Sequence, residues 1–209
     1  GAQFVVHSRH AVALDLCLYD PTCPARETAR IRMQRAECDL WHVTVLGVRA
    51  GTLYGYRAQG PWLPKNAMRF NAKKLMLDPY ARAIHGTPSE AEHMRTLPDP
   101  RHPQGRMDNG AEALKGVVVD ESFDWSGDTR PRVPWQDTVI CELHVKGFTQ
   151  THPAVPSRLR GTYAGLAHPS VTTYLRELGI TSVQLLPVHQ HLDDGFLLGR
   201  DLTNYWGYN

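Results

Sequence analysis

The stretch AVALDLCLY, residues 11–19, places apolar side chains at every second position from Val12 to Leu18. A period of two is that of a β-strand with one buried face, because successive side chains of a strand point to opposite sides of the sheet. The dipeptide Asp20-Pro21 then breaks the pattern, as turn-forming residues do at the end of a strand. These residues predict that the first part of the chain is a β protein.

Three further short stretches near this strand also have strand-like composition, and turn-forming residues separate them. They are residues 29–33, 41–45 and 51–57. Short strands at such intervals indicate an immunoglobulin-like β-sandwich. The 17 Gly and 15 Pro of the 209 residues supply the many turns that this fold needs. We therefore expect a β-sandwich over residues 1–98.

The periodic pattern then disappears for several dozen residues. Stretches such as HPQGR (102–106) and SGDTRP (126–131) are rich in turn formers, and only residues 117–119 have strand-like composition. A long segment without periodicity is typical of a connector. Residues 99–136 are therefore predicted to link two domains.

From residue 137 the pattern is that of an α/β protein. TVICELHV (138–145) and TSVQLLPV (181–188) are apolar enough to be strands, and the second is typical of a parallel strand buried on both faces. Between them, four apolar residues recur at the spacing of one helix face. They are Val171, Tyr174, Leu175 and Leu178.

Residues on either side of this helical pattern predict where the helix starts and stops. Ser170 is a plausible N-cap, and Gly179 suits the residue just after the C-terminus. Strand, helix and strand form a right-handed βαβ unit. Residues 137–209 are therefore predicted to begin an α/β domain.

Composition and charge exclude several function classes. The net charge of +2 is too small for an electrostatic nucleic-acid binder, and no window approaches 18 consecutive apolar residues, so neither nucleic acid nor membrane is an expected partner. Four cysteines without C-x-x-C spacing are typical of reduced thiols. The first nine residues do not resemble a signal peptide. We expect a cytoplasmic protein whose oligomeric state the sequence leaves open.

Six stretches of the chain carry a family resemblance. They are GPW (60–62), RFNAKKLMLDPYA (69–81), ELHVKGFT (142–149), GTYAGL (161–166), LGITSVQLLPV (178–188) and NYWGYN (204–209). In this order and spacing, the chain resembles the N-terminal part of isoamylases and bacterial glycogen debranching enzymes of the α-amylase superfamily. It departs from their pattern at Asn66-Ala67-Met68, which lacks a glycine before Arg69, and at Ala72, where proline is common.

The resemblance implies a fold and an activity. The fold is a starch- or glycogen-associated β-sandwich followed by the first two strands of a (β/α)8 TIM barrel. The activity is hydrolysis of α-1,6 branches in glycogen or limit dextrin by a retaining mechanism. It also implies that the nucleophilic Asp and the acid/base Glu lie beyond Asn209. No catalytic residue is therefore expected within the chain, and the 209 residues alone are expected to be inactive.

The candidate binding residues are aromatic. The resemblance implies that Tyr208 stacks on the glucose at the cleavage subsite, with Tyr205 and Trp206 in contact with glucan or in support. Trp62 is a candidate glucan platform on the sandwich. An aromatic ring suits this role because the C–H face of a sugar is apolar.

Other polar residues are weaker candidates. His189 and His191, followed by Asp193 and Asp194, have the spacing of a metal cluster, but a solvated loop of a glycan cleft is the preferred interpretation. Glu142 and His144 are predicted to lie on one face of the same strand, two residues apart. A hydrogen-bonded structural role is favoured for Glu142 over that of a catalytic carboxylate. Residues 195–199 lack the spacing of a phosphate-binding loop, so neither metal nor cofactor is expected.

Two alternatives to debranching stay open at this stage. The chain could be a non-catalytic module that only binds glucan or docks on a barrel, or part of a trehalose-releasing relative. The stretch VKGFT (145–149) favours debranching over that relative.

Overall fold

A computed structural model of the chain describes residues 1–86 and 108–208. It consists of two compact units, Gly1–Phe123 and Asp124–Asn209. The predicted sandwich boundary at residue 98 lies outside the described residues and stays a prediction. Within the described part of the chain, no helix is long and apolar enough to span a bilayer.

The first unit is a β-sandwich of two antiparallel sheets. Its larger strands are β1 (Ala2–His7), β2 (Ala13–Asp20), β3 (Cys23–Arg32), β5 (Leu40–Val45) and β6 (Leu53–Gln59). Its short strands are β4 (Gln34–Arg35), β7 (Trp62–Leu63), β8 (Met68–Arg69), β9 (Ala83–His85) and β10 (Lys115–Val117). One sheet has the order β1-β5-β4, and the other has the order β3-β2-β6-β10-β9. Strands β7 and β8 pair with each other as a separate two-stranded ribbon.

Strand β2 differs from its sequence prediction in one respect, since it is buried on both faces. Leu16 belongs to the core cluster between the two sheets, together with Phe4 and Trp41. Cys17, on the opposite face, belongs to a second cluster with Leu75. The prediction of one buried face was wrong because the chain around Leu75 covers the outer side of the sheet.

Strand β10 lies within the segment predicted to be a connector. It pairs with β6 on one side and with β9 on the other, with Gly116 opposite both Tyr54 and Ile84. Glycine suits this position because a Cβ at residue 116 would overlap the ring of Tyr54. Part of the segment is therefore a strand of the sandwich.

The second unit contains a parallel strand pair, and three of its helices lie between the two strands in sequence. The strands are β11 (Ile140–Leu143) and β12 (Ser182–Leu185), with Ile140 opposite Ser182. The helices are α1 (Val145–Thr149), α2 (Tyr163–Leu166), α3 (Pro169–Glu177) and α4 (Gly195–Leu198). The predicted βαβ order is confirmed, and β11 and β12 are both shorter than predicted.

Helix α3 buries only half of the face that the sequence predicts, because Val171 and Leu175 are buried whereas Tyr174 and Leu178 are exposed. Val171 and Leu175 pack with Val155 in the core of this unit. The N-cap is His168, whose Nδ1 accepts from the Ser170 N–H at 3.3 Å, and the helix starts at Pro169. Ser170 was predicted as the N-cap. Because proline is favoured at the first helical position, the helix begins at Pro169 and the residue before that proline, His168, is the N-cap.

Strand β12 differs from its prediction. All four of its residues are exposed, including Val183 and Leu185, although its apolar composition predicts burial on both faces. A two-stranded sheet offers few neighbours to cover such a strand. Its apolar side chains therefore face solvent in this unit.

Candidate functional site

A cleft of about 480 Å³ lies at the carboxyl ends of β11 and β12. Its lining includes His144, Tyr163, His189, His191, Asn204 and Tyr205. Loops that follow the carboxyl ends of parallel strands are where α/β proteins bind ligands. The mixture of rings, amide and hydroxyl groups suits a polar ligand that also has apolar faces.

His144 connects the end of β11 to this cleft. It is the N-cap of α1, and its Nδ1 accepts from the Gly147 N–H at 3.1 Å. Its Nε2 lies 2.7 Å from the carbonyl oxygen of Tyr205. A ring nitrogen that accepts a hydrogen bond carries no proton, so the imidazole is the neutral Nε2–H tautomer, which donates to Tyr205.

Three aromatic rings pack together at this end of the cleft. The rings of His144 and Tyr205 are stacked, with centroids 4.1 Å apart and planes within 5°. Trp206 meets both edge-on, with its centroid 6.1 Å from His144 and 5.4 Å from Tyr205. Tyr205 and Trp206 still expose about half of their surface, so an apolar ligand face can reach them.

Hydrogen bonds fix the start of the loop that carries these rings. The Asn204 N–H donates to Asp193 Oδ1 at 2.5 Å, and the Asn204 side-chain amide donates to the Leu192 carbonyl at 3.1 Å. The Gly207 N–H donates to Asn204 Oδ1 at 3.0 Å. Gly207 has φ +76°, a backbone conformation that favours glycine. Asn204 thus ties the aromatic loop to the segment that contains Asp193.

The predicted site residues are only partly brought together. Tyr205 lines the cleft, and Trp206 packs on it. Tyr208 is 71% exposed on the same loop. Trp62 belongs to the first unit, where it is half-buried in β7 and pairs with Arg69 of β8. Its role as a glucan platform remains a prediction.

Sequence reasoning missed what His144 and Asn204 do at this site. Period two placed His144 on the strand beside Glu142, whereas β11 ends at Leu143 and His144 begins the turn into α1. An N-cap side chain accepts a hydrogen bond from a backbone N–H two or three residues later, so a side chain that can accept at residue 144 was a signal that the helix starts there. Among the described residues, no group of three or more His, Cys, Asp or Glu side chains is placed to bind a metal ion, and so neither His189 nor His191 belongs to such a group.

In the first unit, Asp78 of the DPYA stretch (78–81) is the buried acceptor in a cluster of polar groups. The Tyr54 and Tyr56 hydroxyls donate to the same oxygen of Asp78, at 2.8 and 3.4 Å, and the Tyr80 N–H donates to its other oxygen at 2.9 Å. Burial, together with the Asp78 carboxylate, raises the pKa of Tyr54 and Tyr56 above the usual range. These contacts give the motif a structural role in the sandwich.

Comparisons with known proteins agree with this architecture. The family described as carbohydrate-binding module 48 (isoamylase N-terminal domain) matches residues 1–81. The chain is 45% identical over its full length to a glycogen debranching enzyme of Yersinia enterocolitica, and 46% identical to one of Erwinia tasmaniensis. The chain spans 31% of the length of each of these relatives.

Solved structures show a similar fold. A pullulanase mutant from Paenibacillus barengoltzii, complexed with maltotetraose, has a TM-score of 0.67 and 24% identity, covering 99% of this chain and 29% of that one. The catalytic module of the pneumococcal glycogen-degrading virulence factor SpuA has a TM-score of 0.64 and 23% identity, covering 91% and 25%. The chain as a whole is thus similar to glycogen debranching enzymes, and its first 81 residues are similar to the carbohydrate-binding module 48 family, the isoamylase N-terminal domain.

Proposed function

We propose that this chain serves in glycogen debranching, the hydrolysis of α-1,6-glucosidic branch linkages in glycogen or limit dextrin. One observation carries the proposal: the chain is 45% identical, over its entire length, to a protein named glycogen debranching enzyme. Branched α-glucan is then the substrate and the main partner. Binding of glucan is further supported by the carbohydrate-binding family that matches residues 1–81.

In this proposal, residues 137–209 are the opening of a (β/α)8 barrel. The parallel pairing of β11 with β12, with α3 between them in sequence, supports this interpretation. Barrel enzymes build their active sites from the loops that follow the carboxyl ends of their strands. The cleft lined by His144 and Tyr205 lies at such ends and supplies part of the substrate site.

The proposed reaction is a retaining double displacement. Two carboxyl groups roughly 5–5.5 Å apart act as nucleophile and as acid/base in this class of enzyme. The family resemblance assigns both groups to barrel strands beyond Asn209. The residues of this chain therefore contribute binding and orientation to the reaction.

The aromatic loop supplies that binding. Tyr208, Trp206 and Tyr205 offer ring faces to glucose, whose C–H face is apolar and whose hydroxyls need polar partners. The exposure of Tyr208 and its place in the same loop as the cleft residue Tyr205 support this role. Trp62 is proposed as a separate glucan contact on the sandwich.

The proposed compartment is the cytoplasm. All four cysteines, Cys17, Cys23, Cys38 and Cys141, lie in the described part of the chain as free thiols. Free thiols are usual where glutathione and thioredoxin keep proteins reduced. This observation supports the assignment.

A chimeric enzyme tests the proposed activity. Residues 1–209 replace the matching 31% of the Yersinia enterocolitica relative, and the product is assayed on a branched limit dextrin. We expect release of linear oligosaccharides at a rate within about tenfold of the relative, since homologous segments keep the same catalytic geometry. A chimera that folds as the relative does but releases nothing would contradict the proposal. If the 209-residue chain still bound glucan, that result would favour a binding module.

A further inference from the structure

We infer that His144 is a positioning residue that holds Tyr205 and Trp206 in the orientation in which they receive glucan. The inference rests on the proposed role of this loop in substrate binding. It adds a residue of the cleft wall that acts on substrate binding through Tyr205 and Trp206. The three rings of His144, Tyr205 and Trp206 are called the aromatic platform below.

A single imidazole makes both contacts with Tyr205. Its Nε2–H donates to the Tyr205 carbonyl at 2.7 Å, and its ring stacks on the phenol at 4.1 Å. The hydrogen bond fixes the backbone of residue 205, and the stacking fixes its side chain. Glutamine could donate the hydrogen bond without a stacking ring, and phenylalanine could stack without a donor. Histidine supplies both.

The imidazole is itself held in place. Its Nδ1 accepts from the Gly147 N–H at 3.1 Å, which fixes both the ring orientation and the Nε2–H tautomer. This bond belongs to the first turn of α1, which directly follows β11. The platform is therefore attached to the strand and helix rather than to the loop alone.

The far end of the Tyr205 ring is also confined. The backbone of Gly147 lies so close to Tyr205 Oη that a Cβ at residue 147 would overlap this oxygen. Tyr205 thus has His144 on its face and Gly147 at its hydroxyl end. Trp206 packs edge-on against the rings of both His144 and Tyr205, so the orientation of its indole depends on theirs. Stacking on a sugar depends on ring direction, so a held platform loses less conformational entropy when glucan binds.

The test uses the 209-residue chain labelled with 15N. In the wild type we expect the proton of His144 on Nε2, as read by long-range 1H–15N correlation. His144→Asn keeps a good N-cap for α1. Its side chain has no ring to stack on Tyr205, and its amide donor is closer to the backbone than imidazole Nε2, so it does not reach the Tyr205 carbonyl in the same way. The matched control is His168→Asn, the same substitution at the histidine that caps α3.

The readout is backbone order in the aromatic loop. In His144→Asn we expect order parameters of Trp206 and Gly207 to fall from about 0.85 to below about 0.6, while His168→Asn leaves them unchanged. Unchanged order in His144→Asn, or an equal loss in both variants, would overturn the inference. An Nδ1–H tautomer in the wild type would overturn it as well, even if His144→Asn failed to fold.

Kinetics of the chimera separate this inference from the proposed function. In His144→Asn we expect KM to rise about tenfold with kcat nearly unchanged, because a loosened platform weakens ground state and transition state alike. His144→Gln, which keeps a donor, should recover part of the loss. An inactive wild-type chimera would refute the proposed activity and leave the NMR outcome to decide on His144. A fall in kcat with unchanged KM would contradict a positioning role.

Discussion

Nη2 of Arg57 donates to Oδ1 of Asp108 at 2.8 Å, across 51 positions of sequence. The Arg57 side chain is 2% exposed, whereas that of Asp108 is 55% exposed. Arg57 also donates to the Ala72 carbonyl at 3.2 Å and lies 3.4 Å from a carboxylate oxygen of Glu27. One buried cation therefore ties strands β3 and β6 to the chain around Ala72 and to the segment that leads into β10.

Breaking this pair should destabilise the sandwich. In Asp108→Ala, Arg57 keeps only its weaker partners, and we expect a loss of about 2 kcal/mol in the free energy of unfolding. This is less than the 3–5 kcal/mol typical of a fully buried pair, because Asp108 is half exposed. The control is Glu121→Ala, which breaks the exposed ion pair between Arg82 and Glu121. Urea unfolding that gives equal losses for both variants would contradict the assignment.

Asp20 provides a pH-dependent prediction. The Thr22 hydroxyl and N–H donate to its Oδ1 at 2.7 and 2.8 Å, and Arg26 pairs with its other oxygen. These partners, with the Thr22 hydroxyl the largest contributor, lower the pKa of Asp20 from 3.8 to about 2. A depressed pKa stabilises the fold above the unfolded value, and that stabilisation is lost as the pH falls through about 2.

The Asp20 carboxyl resonance in a 13C NMR titration checks this value. We expect a midpoint near 2 in the wild type. Thr22→Val removes the hydroxyl donor, so the pKa should move back towards 3.8. Thr138→Val removes a threonine hydroxyl that donates to the Pro134 carbonyl, away from Asp20, and should leave the Asp20 pKa in place. A wild-type midpoint close to 3.8 would show that the turn does not hold the carboxylate.

Gly147→Ala should displace the ring of Tyr205. The new methyl group would overlap Tyr205 Oη, so the ring has to leave its stacked position on His144. We expect loss of the nuclear Overhauser contacts between the two rings. Gly195→Ala is the control, because a Cβ there meets nothing within 4 Å. Ring contacts that survive in Gly147→Ala would show that Gly147 does not confine Tyr205.

Tyr208 and Tyr205 should differ in their importance for the chimeric enzyme. Tyr208→Ala removes a ring proposed to stack on glucose, and we expect a loss of about 1–2 kcal/mol in transition-state binding, roughly 5- to 30-fold in kcat/KM. Tyr205→Phe keeps the ring and the backbone carbonyl that His144 binds, so its effect should be small. Equal effects of the two substitutions on kcat/KM would refute the assignment of Tyr208.

The helix and the strand order of the second unit could be predicted from sequence because they depend on local periodicity. The apolar spacing of Val171 and Leu175 is a property of one helix face, and Gly179 has the positive φ of +77° that its place after the helix predicts. The βαβ order follows from the same kind of pattern.

Burial of β2 and the platform at His144 could not be predicted in this way. Cys17 and Tyr19 are covered by Leu75 and Ala113, which are distant in sequence. The contact of His144 with Tyr205 spans 61 positions. No periodicity in a single sequence encodes such pairs, so they become visible only when the chain is folded.

The most direct test of the proposed debranching activity is a proton NMR time course of the chimera on a branched dextrin. We expect the anomeric signal of the α-1,6 linkage to decline and the α-anomer of the new reducing end to appear first, as a retaining double displacement requires. Initial appearance of the β-anomer, or loss of α-1,4 signals alone, would contradict the account.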